Sequence, residues 1–501
     1  MVVLTDGSLT MLLPQILLVS FALLTPALDI VTVQRMKRII AAWALTGLMA
    51  TFILTLMMAG ILNFVVDLGF QQQNSPVRIL GGMAVIDSFY YFFTLVFLIV
   101  AIVVVIASAA YIKPEEPHQG EYYALLLLST MGMTVVAMAG DFILLFVGLE
   151  LSTLSTFALV SYRKRDRKSS EAGIKYFIIG GLSSALFLYG ISLIFGVTGT
   201  TNFAEIHRIL TLDTAFRPAV MLATVLVVAG LGFKMSTVPF HMWVPDTYQG
   251  APTTITTFLA AGAKKMGFAA AFIVFLIALA AFQPVWVLLL GTLAVVTMTV
   301  GNVGALMQTS VKRLLAYSSI AQAGYIMIAL AVATPASVAG GIYYVLAHAL
   351  MKSGAFLVVA IVLSTGVGDS IEDYAGLRKR APYLAFAMTV LLLSLAGFPP
   401  LGGFWGKFMV FASALDAGGN FMWLAVAGIL NSALSVYYYF RVIKSMYVIP
   451  PKDETAPRVK LPRALAVALI LTVVGTILIG LAADPIVDYA TSAASALFQR
   501  V

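Results

Sequence analysis

The chain has 501 residues, of which 61% are hydrophobic and only 10% charged. Soluble chains are about 25% charged, so this composition belongs in a lipid bilayer. There is no cysteine and there are four histidines, which excludes disulfides, thiolate metal sites, cysteine-held iron–sulfur clusters and thiol catalysis in this chain. The net charge of +8 is no nucleic-acid signal, because the cations lie in short loops between apolar runs, where they set membrane orientation.

A helix needs about 20 mostly apolar residues to cross the hydrocarbon layer. About fourteen stretches qualify: 9–30, 39–66, 83–112, 121–139, 141–162, 174–198, 218–246, 252–282, 285–308, 316–334, 337–365, 382–411, 421–447 and 461–483. The fold class is therefore an all-α, polytopic membrane protein. Spans four and five meet in a tight turn at 139–141, and span seven is interrupted. The first span has no basic residue before it, Arg35 being the first Lys or Arg, so it reads as a helix and not as a signal peptide.

Twenty Lys and Arg residues fall in one set of alternate loops: Arg35, Lys37, Arg38, Lys113, the five in RKRDRK at 163–168, Lys312, Arg313, Arg378, Lys379, Arg380, and six from Arg441 to Arg463. The other set holds Arg78, Arg208, Arg217 and Arg500. Basic loops stay on the cytoplasmic side. This predicts a multi-pass protein of the cell membrane with both termini on the outer side.

Six basic residues remain, all lysine: Lys175, Lys234, Lys264, Lys265, Lys352 and Lys407. Lys175 lies near the start of its span and can snorkel to the interface. Each of the others costs ~2.5–3.5 kcal/mol at mid-membrane on insertion scales, so it needs a partner or a hydrated cavity. Arginine keeps its proton at any relevant pH, whereas a desolvated lysine can release one. Five mid-span lysines and no arginine point to proton exchange. The competing reading is structural lysines satisfied by carboxylates or backbone carbonyls.

Glu150, about nine residues into span five, is the only carboxylate well inside an apolar stretch. With a nearby lysine it would form a buried pair that shares protons. Two spans are also broken beside a lysine. In span seven Pro239 follows Lys234; in span twelve SLAGFPPLGGFWGKFMV places Pro399 and Pro400 before Lys407. Unwound backbone is tolerated at membrane depth only where protein or water covers it, and broken helices beside ionisable residues serve ion translocation.

Spans seven and twelve lie five apart, so they run in opposite directions. This predicts two inverted five-helix repeats, spans four to eight and nine to thirteen. The chain then divides into 1–120 (three N-terminal helices), 121–282, 283–447, and 448–501 with helix fourteen. In span eleven His348 and Lys352 sit one turn apart on one face, where His348 is a relay candidate or a satisfied interior histidine. His241, inside the first break, joins Lys265, His348 and Lys352 as a secondary relay candidate.

Four segments, GFKMSTVPFHMWVPDTYQGAPTT, FLAAGAKKMGF, VKRLLAYSSIAQAGY and SLAGFPPLGGFWGKF, resemble the antiporter-like membrane subunits of respiratory complex I. Within that family the resemblance is to subunit N, through VPDTYQGAPT and the absence of a long lateral helix after span fourteen. The resemblance implies a hydrated polar axis along the membrane. Glu150 and Lys234 would be its switchable pair, Lys264 (or Lys265) its central relay, and Lys407 the loading or release end. It also implies neighbours among other membrane-arm subunits, and proton movement driven by redox chemistry elsewhere. An electron donor such as NAD(H), flavin, iron–sulfur clusters and a quinone-like acceptor would belong to other chains, with no cofactor or metal held here.

One segment departs from subunit N. AHALMKSGAF, with His348 and Lys352, is more similar to the other antiporter-like subunits and to cation/proton antiporters. That leaves a multisubunit cation/proton exchanger as an alternative. It also leaves the donor open between NADH, a reduced deazaflavin coenzyme and ferredoxin.

Overall fold

The computed structural model describes residues 6–33, 36–62, 76–113, 115–212, 217–451, 459 and 461–500. Of the loop cations counted above, Arg35, Lys452, Arg458 and Lys460 lie outside these residues, as does the end of the predicted second span. Among the described residues thirteen helices are long and apolar enough to cross a membrane, from Leu13–Val31 to Arg463–Leu481. They coincide with predicted spans one to eleven, thirteen and fourteen. The twelfth consists of a shorter helix, Pro382–Ala396, followed after a break by Gly402–Asp416. The chain is an all-α polytopic membrane protein.

Three helices form the centre. The most apolar windows of Thr253–Ala278 and Pro335–Ser364 are wholly buried, and that of Val311–Val332 nearly so. Arg167–Thr198, Ala280–Leu306 and Met422–Tyr447 bury only 33%, 39% and 39% of theirs and turn apolar side chains outward, as lipid-facing or partner-facing helices do. The central lysines thus sit on helices sealed from lipid by their neighbours.

The two breaks are built from local sequence. Arg217–Met235 ends as Ser236 takes a left-handed conformation (φ 64°). Ser236 N–H donates to Phe233 O (3.0 Å) and Thr237 N–H to Gly232 O (2.8 Å). Val238 N–H reaches Thr297 Oγ1 in span nine (3.0 Å), and the helix resumes as Trp243–Gly250. In the second break Gly397 (φ 95°) ends Pro382–Ala396. The N–H groups of Gly397 and Phe398 both reach Leu393 O at 3.0 Å, a glycine C-terminal cap. The freed backbone is satisfied within the protein, as the bilayer requires. Both breaks contain a cis X–Pro bond, Val238–Pro239 and Pro399–Pro400.

Several features were not foreseen. An antiparallel hairpin, Val77–Ile79 with Ala84–Ile86, precedes span three. A short helix, Phe203–Leu212, follows span six. Residues 448–501 hold more than helix fourteen, because a further helix, Ala483–Phe498, comes after it. Two presumed loop cations are buried. Arg500 pairs with Asp87 at 2.7 Å and donates to Ala137 O (3.2 Å). Lys312 donates to Gln249 O (3.1 Å) and Ala251 O (3.0 Å). Their hydrogen-bonding roles add to the orientation role that loop cations carry. Asp87 and Asp141 are 4% and 5% exposed and so more deeply buried than Glu150 at 22%; Asp87 is the N-cap of Ser88–Tyr111.

Close approach makes the second break. A Cβ at Gly403 would lie 1.9 Å from Ser394 O. Gly403→Ala is expected to lower the stability of the purified protein by about 1–3 kcal/mol, as overpacking does. Gly196→Ala, where a Cβ meets nothing within 4 Å, should leave it unchanged. A thermal-unfolding comparison of the two variants checks this.

Candidate functional site

The expected acid–base pair is formed. Lys234 Nζ lies 3.7 Å from Glu150 Oε1, with side chains 7% and 22% exposed. Lys234 sits in the last turn of Arg217–Met235, where unpaired carbonyls favour a cation. Its ammonium donates to Thr153 Oγ1, three residues after Glu150 and so on the same helix face. The carboxylate accepts from Ser184 Oγ at 2.7 Å. Thus each charge has a neutral partner of its own, and the ionic contact is longer than a direct charge-assisted hydrogen bond of about 2.7–2.9 Å. Gly267 of span eight allows this packing, because a Cβ there would meet the Lys234 backbone carbonyl carbon at 2.8 Å.

Span eight carries the next two lysines. A widened helical turn, Leu259–Ala263, stands immediately before Lys264 and Lys265, and such turns recur at functional sites. Both lysines are buried, but they face different helices. Lys264 donates to the carbonyl and hydroxyl of Ser319 in span ten, each at 3.1 Å, and lies 5.9 Å from the Tyr248 ring centre. Lys265 hydrogen-bonds His348 Nδ1 in span eleven. That contact requires one partner to carry the proton and the other to accept it, so the pair is a shared proton position. Lys264 and Lys265 are both seated in the interior array.

Span eleven continues the array. One turn beyond His348, Lys352 donates to Leu315 O (2.9 Å) and Ser318 Oγ (2.8 Å). Ser318 shares a hydrogen bond with Tyr439 OH (2.5 Å). Gln322 Nε2 reaches Tyr439 OH (3.2 Å) and Leu395 O (3.1 Å), and Tyr344 OH donates to Gln322 Oε1. This run ends at the second break. There Lys407 donates to Ala396 O (3.0 Å) and Ser432 Oγ (2.9 Å), with its ammonium 4.8 Å from the Tyr325 ring centre. Ala396 is the last residue of Pro382–Ala396, so this lysine too is held at the negative end of a half-helix.

Lys234, Lys264, Lys265, His348, Lys352 and Lys407 are thus all buried in the interior, with Glu150 partly exposed beside Lys234. Pro239, Pro399 and Pro400 lie in the two breaks. His241 is in the first break, its Nδ1 buried and without a hydrogen-bond partner. Lys175 does more than snorkel: it pairs with Glu171 and Asp246, each at 2.8 Å. Arg313 also holds Asp246 (2.9 Å), so spans six and ten grip the second half of span seven. The carbonyl contacts of Lys264, Lys352 and Lys407 would suit structural lysines. Beyond these carbonyl contacts, one run of hydroxyl and amide groups, Ser318, Tyr439 and Gln322, extends from Lys352 to the carbonyl of Leu395 beside the second break. Sequence reasoning missed Thr153, Ser184, Ser318, Ser319, Gln322 and Tyr439. Ser318, Ser319 and Gln322 had a signal, as polar residues one turn apart in an apolar span. Among the described residues no three His, Cys, Asp or Glu side chains cluster as metal ligands.

Residues 139–435 match the family model for the transmembrane region of NADH:quinone oxidoreductase and Mrp antiporter proteins. F(420)H(2) dehydrogenase subunit N of Methanosarcina mazei is 47% identical, over 97% of this chain and 98% of the relative. NADH-quinone oxidoreductase subunit N of Desulforamulus reducens is 43% identical, over 84% of this chain and 87% of the relative. A chain of respiratory complex I from Thermus thermophilus superposes with a TM-score of 0.77 at 30% identity, covering 95% and 98% of the two chains.

Ser319→Ala removes a side-chain acceptor from the Lys264 ammonium. A lost hydrogen bond to a charged group costs about 1.5–3 kcal/mol, so coupled turnover of the assembled complex should fall roughly tenfold. Ser445→Ala, which removes a bond to Ile371 O away from the array, should not change it. Turnover measured in sealed vesicles compares the two.

Proposed function

Because this chain belongs to the NADH:quinone oxidoreductase/Mrp antiporter transmembrane family, we propose that it carries protons in the membrane arm of a redox-driven complex. The observation that supports this best is the Glu150–Lys234 pair followed by four buried lysines and His348, each held by hydroxyl, imidazole or carbonyl partners. Relatives are subunits of oxidoreductase complexes, so the enzymatic activity belongs to the assembly. Donor, flavin, iron–sulfur and quinone chemistry is assigned to other subunits. The two relatives are named for different donors, F420H2 and NADH, and the donor-binding partner would decide between them.

The mechanism follows from the geometry. A carboxylate 3.7 Å from an ammonium strengthens the hold of the amine on its proton by direct attraction. Moving the two apart withdraws that attraction and frees the proton for the next acceptor. Thr153 and Ser184 give each charge a partner in the separated state, so the switch leaves no bare charge in a low dielectric. The proton would pass to Lys264 or Lys265, through His348 and Lys352 and the hydroxyls of span ten, to Lys407. Glu150 is partly open at the flank of spans five and six, where a neighbouring membrane subunit can impose the separating field. The two-repeat division and both termini on the outer side of the cell membrane belong to this proposal.

A second reading is a cation/proton exchanger module, favoured by the His348–Lys265 contact and by Lys352. Sodium-dependent proton exchange without any electron donor would support it.

The test is proton pumping, electron transfer and assembly measured together in vesicles for Lys234→Ala and Glu150→Gln. The expected outcome is normal assembly with pumping lost and coupled turnover reduced at least tenfold. Normal pumping in both variants would make the pair structural and end this reading.

A further inference from the structure

Four basic residues converge on one cleft at the side of the membrane marked by the basic loops. Lys37 and Arg38 open the second span, Lys113 follows the third, and Arg463 opens the fourteenth. The helices meeting there carry Ala41, Ala109 and Ala110 at the cleft, and these small side chains leave a cleft of about 510 Å³. Lys37 is already paired with Asp29. Arg38, Lys113 and Arg463 are exposed, and no acidic side chain lines the cleft among the described residues.

Two further observations point to an anion. The helices Arg38–Met58 and Arg463–Leu481 both begin at the cleft without a side-chain cap, and uncapped helix starts favour negative charge. Next to the cations, Ile39 and Val467 are 42% and 48% exposed, on the membrane-spanning parts of the same helices. Within the cleft itself Ala41, Ala109, Ala110 and Ile112 supply apolar walls beside the cations. Basic pockets between transmembrane helices on the cytoplasmic side are suited to phosphate-bearing lipid headgroups.

We infer that this cleft is a binding site for a phosphate-type anion, carried by the headgroup of an anionic membrane lipid. Arg38, Lys113 and Arg463 hold the phosphate, and the acyl chains leave it past the apolar lining of Ala41, Ala109 and Ala110. The lipid joins the fourteenth span to the second and third, tying the two ends of the chain together on the inner face. Free phosphate would satisfy the cations but would leave the apolar walls unused.

The test is native mass spectrometry of the purified, delipidated complex after addition of phosphatidylglycerol, phosphatidylcholine or inorganic phosphate. The intact complex should retain phosphatidylglycerol at least tenfold over phosphatidylcholine, and millimolar inorganic phosphate should not displace it. Arg38→Gln/Lys113→Gln/Arg463→Gln should abolish that preference, whereas Lys164→Gln/Arg165→Gln/Lys168→Gln, on another basic loop, should keep it. If the triple variant does not assemble, the single Arg463→Gln change alters one exposed side chain and should weaken retention several-fold. Equal retention by the intact complex and the cleft variants would overturn the site, and displacement by inorganic phosphate would overturn the lipid as its occupant.

Discussion

An ammonium group inside a bilayer must be hydrogen-bonded in every state it visits, and most of this structure answers that requirement. Water supplies such partners at a surface. Here they come from carbonyls freed at helix ends and from hydroxyls on neighbouring spans. Lys234 sits in the last turn before one break, and Lys407 donates across the other to the end of the preceding half-helix. The breaks and the lysines are therefore one device. A continuous helix would have kept Ala396 O within its own ladder, and Lys407 would have lost its acceptor.

The same requirement explains which helices are sealed. Spans eight, ten and eleven, which carry or contact Lys264, Lys265, His348 and Lys352, are buried almost throughout, while Glu150 alone of the array is appreciably open at its side chain. A low-dielectric interior lengthens the reach of a charge, so an event at the open end can be felt further in. The grip on Asp246 by Lys175 and Arg313, with Lys312 on the carbonyls of Gln249 and Ala251, fixes the second half of span seven to spans six and ten. It leaves the Glu150–Lys234 contact as the looser joint.

The spans were legible because a membrane helix is a long apolar run, and the breaks because Pro239, Pro399 and Pro400 interrupt such runs. Glu150 and the five lysines stood out for their charge, and Lys234 does lie beside Glu150. The hydroxyl and amide partners did not stand out, because Thr153, Ser184 and Tyr439 are ordinary residues in membrane helices. Only the crossing of helices distant in sequence shows which of them meet a lysine. The same holds for Arg500, counted as a loop cation, and Asp87, which are 413 residues apart in sequence. The hairpin at Val77–Ile79 and the helix Ala483–Phe498 are short or amphipathic, so a search for apolar runs passed over them.

Charge and proton exchange make different demands at position 234, and arginine separates them. Lys234→Arg keeps a cation beside Glu150 but supplies one that does not give up its proton. Proton pumping by the assembled complex, followed against electron transfer in sealed vesicles, is the most direct measurement. The account predicts that Lys234→Arg assembles but pumps less than a tenth as fast as the unmodified complex. Pumping at the normal rate would mean that a fixed positive charge suffices there, and would contradict proton exchange at Lys234.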